Sequence, residues 1–258
     1  MDDLIEKVGS FGRYQKALLF IIGSVTGMNG LTQFMSVFNN AVPKLLCKHK
    51  QFNSTEDLYL PNSCEIFQNL SLSKANNYES PYECHYDTTY YGRTIITEYD
   101  LICDRLYLAS LTQTLYMIGS MTSFFTGFFS DRIGRRLVCF FMSLLLCVSI
   151  FASEIFQIKY FGFTVSVRYM AYLISQFILG FTVYSLDIIT YILLVESTTQ
   201  RHINFLSIIN FNMYVLGELT LLLVSFFCRD WNMQNWFAAS VSFFFSIVII
   251  TILPESPR

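Results

Sequence analysis

Charged residues are scarce in this sequence of 258 residues. They make up 14% of the chain, against roughly 25% in soluble domains. Hydrophobic residues account for 53% and aromatic residues for 17%, a composition typical of membrane proteins. The formal net charge is −2 and no run of basic residues occurs, which excludes nucleic acid as a partner.

Two further absences narrow the function. The three histidines, His49, His85 and His202, form no cluster at metal-ligand spacing, and no nucleophile elbow is found. We therefore expect neither an enzyme nor a bound metal or cofactor. Residues 1–16 lack the apolar stretch and cleavage site of a secretory signal peptide, so the first membrane span is expected to insert the chain and to remain.

Six apolar segments are long enough to cross a bilayer, which takes about 20 helical residues. Their apolar residues surround the helix axis instead of following one stripe, which excludes amphipathic helices of a soluble protein. The predicted fold is an all-α membrane protein with six transmembrane helices, at Ala17–Phe38, Leu106–Phe129, Leu137–Phe156, Tyr169–Val195, Ile203–Phe227 and Trp236–Leu253. Glycines within the spans are predicted to allow close helix contact, at Gly27, Gly30, Gly119 and Gly217.

A polar insert, residues 39–105, separates the first span (17–38) from the remaining spans (106–253). At roughly ten times the usual length of a connection, it is predicted to be a small folded domain. Its four cysteines predict two disulfides with three possible pairings, and their irregular spacing argues against a zinc site. Two N-glycosylation sequons, at Asn53 and Asn69, agree with the cysteines in predicting an extracellular or luminal insert. The cysteines are Cys47, Cys64, Cys84 and Cys103.

Basic residues predict the same orientation. With the insert outside, eight lysines and arginines fall on the inner side and three in the short outer loops, as the positive-inside rule requires. Residues 1–16 are therefore a predicted cytoplasmic amino terminus, and residues 254–258 are predicted to begin a truncated cytoplasmic central loop.

The loop between the second and third spans carries a compact motif of glycines and charges: Gly127, Asp131, Arg132, Gly134, Arg135 and Arg136. Glycine allows a sharp turn, and the carboxylate is able to pair with an arginine or with a helix amino terminus. Two interpretations are open. The motif is either a charge cluster that holds one conformation of a transporter, or a basic loop that only sets topology.

Further motifs surround this loop in a characteristic order: Gly12-Arg-Tyr-Gln15, Cys84-His-Tyr-Asp87, Thr94-Ile-Ile-Thr-Glu-Tyr-Asp-Leu-Ile-Cys103 and Pro254-Glu-Ser-Pro-Arg258. Together they resemble the organic cation, anion and carnitine transporter family (solute carrier family 22) of the major facilitator superfamily. The resemblance implies the amino-terminal half of a twelve-helix fold, whose two halves rock about a central site. It also implies that Glu196 and Arg201 join the loop motif in a cytoplasmic gate. Gln176 stands where this family usually has arginine, and Phe211 where it often has glutamine.

Polar residues within the spans are candidates for contact with a solute, since such residues usually face a cavity or another helix. If Asp187 and Glu218 both face a central cavity, they favour a cation or a zwitterion. Asp187 has the alternatives of pairing with a residue of the absent half or of lying protonated against a neighbouring helix. Asn29 and Gln33 lie one helical turn apart and have the alternative of joining helices. The full set of candidates, which includes two tyrosines for an aromatic wall, is Asn29, Gln33, Tyr116, Asp187, Tyr191 and Glu218.

The predicted function is transport of small organic ions across the plasma membrane by alternating access, with this multi-pass chain supplying the amino-terminal half. A cation or a zwitterion such as carnitine is favoured over an anion. The expected partners are the lipid bilayer, the organic ion, and either a carboxyl-terminal six-helix half or a second copy of the chain. The alternative is a truncated product that does not transport and instead binds or regulates a full-length relative.

Overall fold

The computed structural model describes residues 13–49, 64–67, 82–89, 92–158, 164–198 and 202–253. These residues are mostly helical. The helices are α1 (Arg13–Gln33), α2 (Met35–Asn39), α3 (Ile95–Tyr99), α4 (Leu106–Thr122), α5 (Phe124–Ile133), α6 (Arg135–Gln157), α7 (Val165–Glu196), α8 (Ile203–Phe227) and α9 (Trp231–Ile252). Two strands, β1 (Leu45–His49) and β2 (Tyr82–Tyr86), form an antiparallel pair.

Five helical segments in the described part of the chain are long and apolar enough to cross a membrane. They cover the predicted first, third, fourth, fifth and sixth spans, at Gln15–Asn39, Arg135–Gln157, Val165–Glu196, Ile203–Phe227 and Trp231–Ile252. The predicted second span, Leu106–Phe129, is instead divided between α4 and α5, and α4 alone has 17 residues.

Hydroxyl side chains and a tightened backbone turn accompany the break between α4 and α5 at Ser123. The hydroxyl of Thr122 donates to the carbonyl of Gly119 at 2.6 Å, and that of Ser120 donates to the carbonyl of Met117 at 2.7 Å. The backbone N–H of Ser123 bonds the carbonyl three residues back, that of Ser120, at 3.1 Å. Such side-chain bonds compete with the regular helical ladder and tighten the turn.

Glycines set the closest helix contacts, as predicted from their positions in the spans. A Cβ atom added to Gly217 of α8 would overlap the backbone of Gly27 in α1. At a second crossing, a Cβ on Gly119 of α4 would overlap the carbonyl of Phe177, and one on Gly180 of α7 would overlap the carbonyl of Tyr116. Small residues at both crossings therefore allow backbone-to-backbone contact.

Around these crossings α7 occupies the centre of the bundle and contacts α1, α4 and α6, while α8 packs on α1 and α9 packs on α6. The core between the helices is largely apolar and also contains buried polar side chains, among them Asn29, Glu154 and Asn235. In contrast, α8 exposes large apolar side chains on its outward side, among them Leu219, Leu222, Leu223, Phe226 and Phe227. Such exposure is stable in lipid or against another helical unit.

Two disulfides cross-link the insert, Cys47–Cys84 and Cys64–Cys103. Cys47 and Cys84 lie directly opposite each other in β1 and β2, which selects one of the three pairings that the sequence allows. The end of the bundle that carries the insert is called the insert end below. The opposite end, which carries residues 127–136, is called the motif end. Asn53 and Asn69 lie outside the described residues.

Polar contacts dock the insert on the helical bundle. Arg93 pairs with Asp230 at 3.3 Å, and Glu98 pairs with Arg168 at 3.7 Å. The hydroxyl of Tyr99 donates to the side-chain oxygen of Gln157 in α6. Burial raises the pKa of Tyr99 to about 12, so this phenol keeps its proton and remains a donor at neutral pH.

Replacing Gly217 by valine is expected to lower the free energy of unfolding by about 1–3 kcal/mol, because the new side chain overlaps the backbone of Gly27 and forces the helices apart. The measurement is the thermal unfolding midpoint of the purified chain in detergent. Gly127→Val is the matched control, since a Cβ atom at Gly127 meets no described atom within 4 Å. Equal midpoints for the two variants would contradict the close crossing.

Candidate functional site

A cavity of about 660 Å³ lies between α1, α7 and α8. This volume falls in the range of sites for small molecules. Its walls are apolar and aromatic with a few polar groups, contributed by Thr26, Gln33, Tyr184, Asp187, Ile188, Tyr191, Ser207, Asn210, Phe211 and Tyr214.

Helical periodicity brings these side chains to one place. Tyr184, Asp187 and Tyr191 follow each other at intervals of three and four residues in α7, which puts them on one face. Phe211 and Tyr214 are three residues apart in α8, and their rings stack with centroids 6.2 Å apart. The two helices therefore contribute aromatic side chains to the cavity that Asp187 also lines.

Asn29, which does not line the cavity, forms a hydrogen bond with Asp187. The side-chain amide of Asn29 is fully buried and donates to Asp187 Oδ1 at 2.6 Å. Among the ion pairs between described residues none involves Asp187. An acidic group inside a membrane bundle without a paired cation carries a large energetic cost, so Asp187 is a candidate functional residue.

Gln33 joins three helices beside this carboxyl group. Its amide nitrogen donates to the hydroxyl oxygen of Tyr184 at 3.0 Å, and its amide oxygen accepts from the hydroxyl of Tyr214 at 2.6 Å. The hydroxyl of Thr26 donates to Asn210 Oδ1 at 3.1 Å. These bonds connect α1 to α7 and α8 and hold the tyrosines against the cavity.

The six candidates from the sequence occupy different positions. Gln33, Asp187 and Tyr191 line the cavity, whereas Asn29 lies behind Asp187. Tyr116 is buried edge-on against Tyr184, with ring centroids 6.2 Å apart, and does not reach the lining. Glu218 lies one helical turn beyond the last lining residue of α8 and is likewise outside the lining.

Sequence reasoning missed most of the wall that α8 provides. Ser207, Asn210 and Tyr214 were not among the candidates, although their spacing of three and four residues marks one helix face. Tyr184 of α7 was also missed, because it lies among many tyrosines that are alike in sequence. Phe211, which stands where the resembled family often has glutamine, lines the cavity beside Tyr214.

At the motif end, Arg135 pairs with two carboxylates. Its Nη1 lies 2.6 Å from Glu196 Oε2, and both side chains are largely buried, at 11% and 10% exposed. Its Nη2 lies 3.3 Å from Asp131 Oδ1, whose side chain is 71% exposed. The bond to Glu196 connects α6 to the end of α7 and is the better shielded of the two.

The other motif residues have separate contacts. Gly134 has a φ of 107° and joins α5 to α6, a conformation that favours glycine. Arg132 lies over the ring of Phe128, 4.2 Å from its centroid. Arg136 donates to the carbonyl of Ile250 near the carboxyl end of α9, where the helix dipole favours a cation. Arg201 lies outside the described residues.

A bundle of apolar helices around a cavity of this size, with a charged cluster at one end, has the architecture of a membrane transporter. The chain belongs to the family described as "Sugar (and other) transporter", whose model matches residues 18–258.

The relatives confirm the resemblance noted from the motifs. The chain is 26% identical to solute carrier family 22 member 16 of Homo sapiens, over 99% of this chain and 50% of that protein. It is 23% identical to the beta-alanine transporter of Drosophila melanogaster, over 100% of this chain and 48% of that one. It is 24% identical to an organic cation transporter protein of the same species, again over 100% and 48%. The chain therefore spans about half the length of these relatives.

A solved structure shows the same fold. The D-xylose-proton symporter matches with a TM-score of 0.59 at 16% identity, over 95% of this chain and 49% of that chain. The helices described above thus share the fold of about half of that symporter chain.

Glu196→Gln is expected to lower the free energy of unfolding by about 3–5 kcal/mol, because it leaves a buried charge on Arg135 without its closest partner. Asp131→Asn breaks the exposed pair of the same arginine. It is expected to change the free energy of unfolding by no more than about 1 kcal/mol. Urea or thermal unfolding of the purified chain measures both. A larger loss for Asp131→Asn than for Glu196→Gln would refute this ranking.

Proposed function

We propose that this chain forms one half of an alternating-access carrier for small organic cations or zwitterions, and that Asp187 contacts the positive group of the solute. The observation that supports this most directly is the Asp187 carboxyl group, which lies at the cavity wall with an amide partner and with no cation paired to it among the described residues. A positively charged solute would supply the missing charge.

The composition of the wall favours a cation over an anion. No lysine, arginine or histidine is among the residues that line the described cavity. The faces of Tyr184, Tyr191, Tyr214 and Phe211 attract ammonium groups through their ring quadrupoles. Two relatives carry names that fit this chemistry, an organic cation transporter protein and a beta-alanine transporter, and we extend that solute class to this chain.

The proposed topology has six spans, with α4 and α5 together forming the second. The insert faces the outside of the plasma membrane, with glycans at Asn53 and Asn69, and residues 1–16 are cytoplasmic. The motif end is then cytoplasmic as well. There Arg135 and Glu196, and by the family resemblance Arg201, belong to a gate within this half, while the exposed carboxylate of Asp131 is free to meet a second half.

The second half of the cavity wall is proposed to come from six further helices, supplied by a carboxyl-terminal half or a second copy of the chain. The alternative of a product that only binds or regulates a full-length relative makes a different prediction. Uptake by the chain joined to the second half of the human relative favours the carrier. If neither this chimera nor the chain alone shows saturable uptake while both reach the cell surface, the carrier proposal fails.

Asp187→Asn is expected to weaken binding of radiolabelled tetraethylammonium by the chimera at least about tenfold, a loss of about 1.4 kcal/mol, because the amide removes the negative charge and keeps the shape. Glu83→Gln is the matched control and should bind as the wild type, since Glu83 is an exposed residue of β2 and lies outside the cavity lining. Binding of labelled beta-alanine, a zwitterion, and of labelled p-aminohippurate, an anion, shows which class of solute the chimera accepts. Preferred binding of p-aminohippurate, unaffected by Asp187→Asn, would overturn the solute class.

Expression in animal cells tests the orientation. Glycosidase treatment should increase the gel mobility of the chain, and the double variant Asn53→Gln, Asn69→Gln should run like the treated wild type with no further change. Asn62→Gln, which alters an asparagine of the insert outside a sequon, is the control and should still shift. Lack of any shift in a chain that reaches the plasma membrane would argue against an external insert.

A further inference from the structure

A second acidic side chain, that of Glu154, is buried inside the bundle and does not line the cavity. Glu154 belongs to α6, three residues before its last residue, Gln157, at the insert end. Its side chain is only 2% exposed. Glu154 was not among the candidates from the sequence, because it lies near the end of the predicted third span.

The polar contacts of Glu154 are with neutral groups. Asn235 of α9 donates from Nδ2 to Glu154 Oε1 at 2.6 Å. Asn39 of α2 in turn donates from Nδ2 to Asn235 Oδ1 at 3.2 Å. The side chains of Asn39 and Asn235 are 1% and 3% exposed, so this chain of bonds is almost entirely buried, and it joins three helices.

No positive charge balances the carboxyl group among the described residues. The arginine of the neighbouring helix end, Arg168 of α7, lies 3.7 Å from Glu98 of the insert instead. The other titratable groups that face Glu154 are phenols, Tyr172 from α7 and Tyr99 from α3. From α9 the amide of Asn235 bonds Glu154 directly, and from α2 the amide of Asn39 bonds Asn235.

An ionised carboxylate in this position would carry an uncompensated charge inside a membrane bundle, which costs several kcal/mol. A carboxylic acid there has no such cost and still accepts the hydrogen bond from Asn235. From this geometry we propose that Glu154 is a proton-binding site: its carboxyl group takes up a proton from solution at the insert end, and the proton-loaded form holds α2, α6 and α9 together.

The site connects to the insert as well as to the helices. Gln157, one turn beyond Glu154 on α6, accepts from the hydroxyl of Tyr99 in the insert and donates to the backbone carbonyl of Arg168 at 3.4 Å. Loss of the proton would place a charge between α6 and α9, one helical turn from both Gln157 contacts. Proton binding is thus linked to the stability of the insert end and does not require the proposed solute.

The test uses the purified 258-residue chain in detergent, with thermal unfolding midpoints measured from acidic through neutral to alkaline pH. In the unfolded chain Glu154 ionises in the ordinary range of glutamate, at about pH 4.3. The proton-loaded folded state therefore loses stability as the pH rises above that value, until Glu154 ionises in the folded chain too. The midpoint difference between Glu154→Gln and wild type should grow by about 3–5 °C for each pH unit in this interval.

Glu154→Gln keeps the shape and the acceptor for Asn235 while remaining neutral at every pH. Glu83→Gln, which alters an exposed carboxylate of β2, is the matched control and should follow the wild-type curve. Parallel curves for Glu154→Gln and wild type would overturn the proposal, as would a Glu154→Gln chain that does not fold.

Infrared spectroscopy gives a readout that does not depend on stability. At neutral pH the wild type should show the carbonyl stretch of a protonated carboxyl group, shifted in D₂O, and this band should decrease in Glu154→Gln and remain in Glu83→Gln. Identical carboxyl bands in wild type and Glu154→Gln would show that Glu154 is ionised in the folded chain and would contradict the site.

Discussion

The backbone contact between α1 and α8 at Gly27 and Gly217 is the constraint on which the cavity depends. With no side chain at either position, the two helices meet at their backbones. Thr26 and Gln33 of α1, together with Asn210 and Tyr214 of α8, then reach each other or α7 across the space beside the contact. A bulkier pair of residues at the crossing would move α8 outward and separate these hydrogen-bonding partners.

Polar side chains inside the bundle fix how each helix is rotated, since an unpaired polar group in a membrane is costly. Three clusters do this at different depths: Glu154 with Asn235 at the insert end, Asp187 with Asn29 at the cavity, and Arg135 with Glu196 at the motif end. Of these, only the motif end pairs opposite charges. The other two hold a carboxyl group by an amide alone, which stabilises the side-chain position and leaves the charge state open to a ligand or a proton.

Much of the fold follows from patterns that the sequence displays directly. Long apolar runs predicted the helices, and the small residues within them predicted the crossings at Gly27 and Gly119. The break at Ser123 was missed because hydroxyl groups that bond to carbonyls one turn back do not alter the average hydropathy of a segment. The pairing of Cys47 with Cys84 required the register of β1 against β2, which spacing alone does not determine.

The site was harder to predict for a geometric reason. Sequence gives the residues on a helix but not its rotation within the bundle, so Tyr116 and Tyr184 were indistinguishable although one is buried and the other lines the cavity. Asp187 was identifiable because a single acid in an apolar span is conspicuous. Glu154 escaped notice because it lies near the end of α6, where an acidic residue resembles the polar boundary of a span.

The central claim is that Asp187 and the aromatic faces around it receive the positive group of the solute. The most direct measurement is a cryo-electron microscopy structure of the chain joined to a complementary six-helix half, with tetraethylammonium bound. The account predicts ligand density between α1, α7 and α8, in contact with Asp187 and the rings of Tyr184 and Tyr214. Density that lies outside this cavity, with Asp187 still bonded only to Asn29, would contradict it.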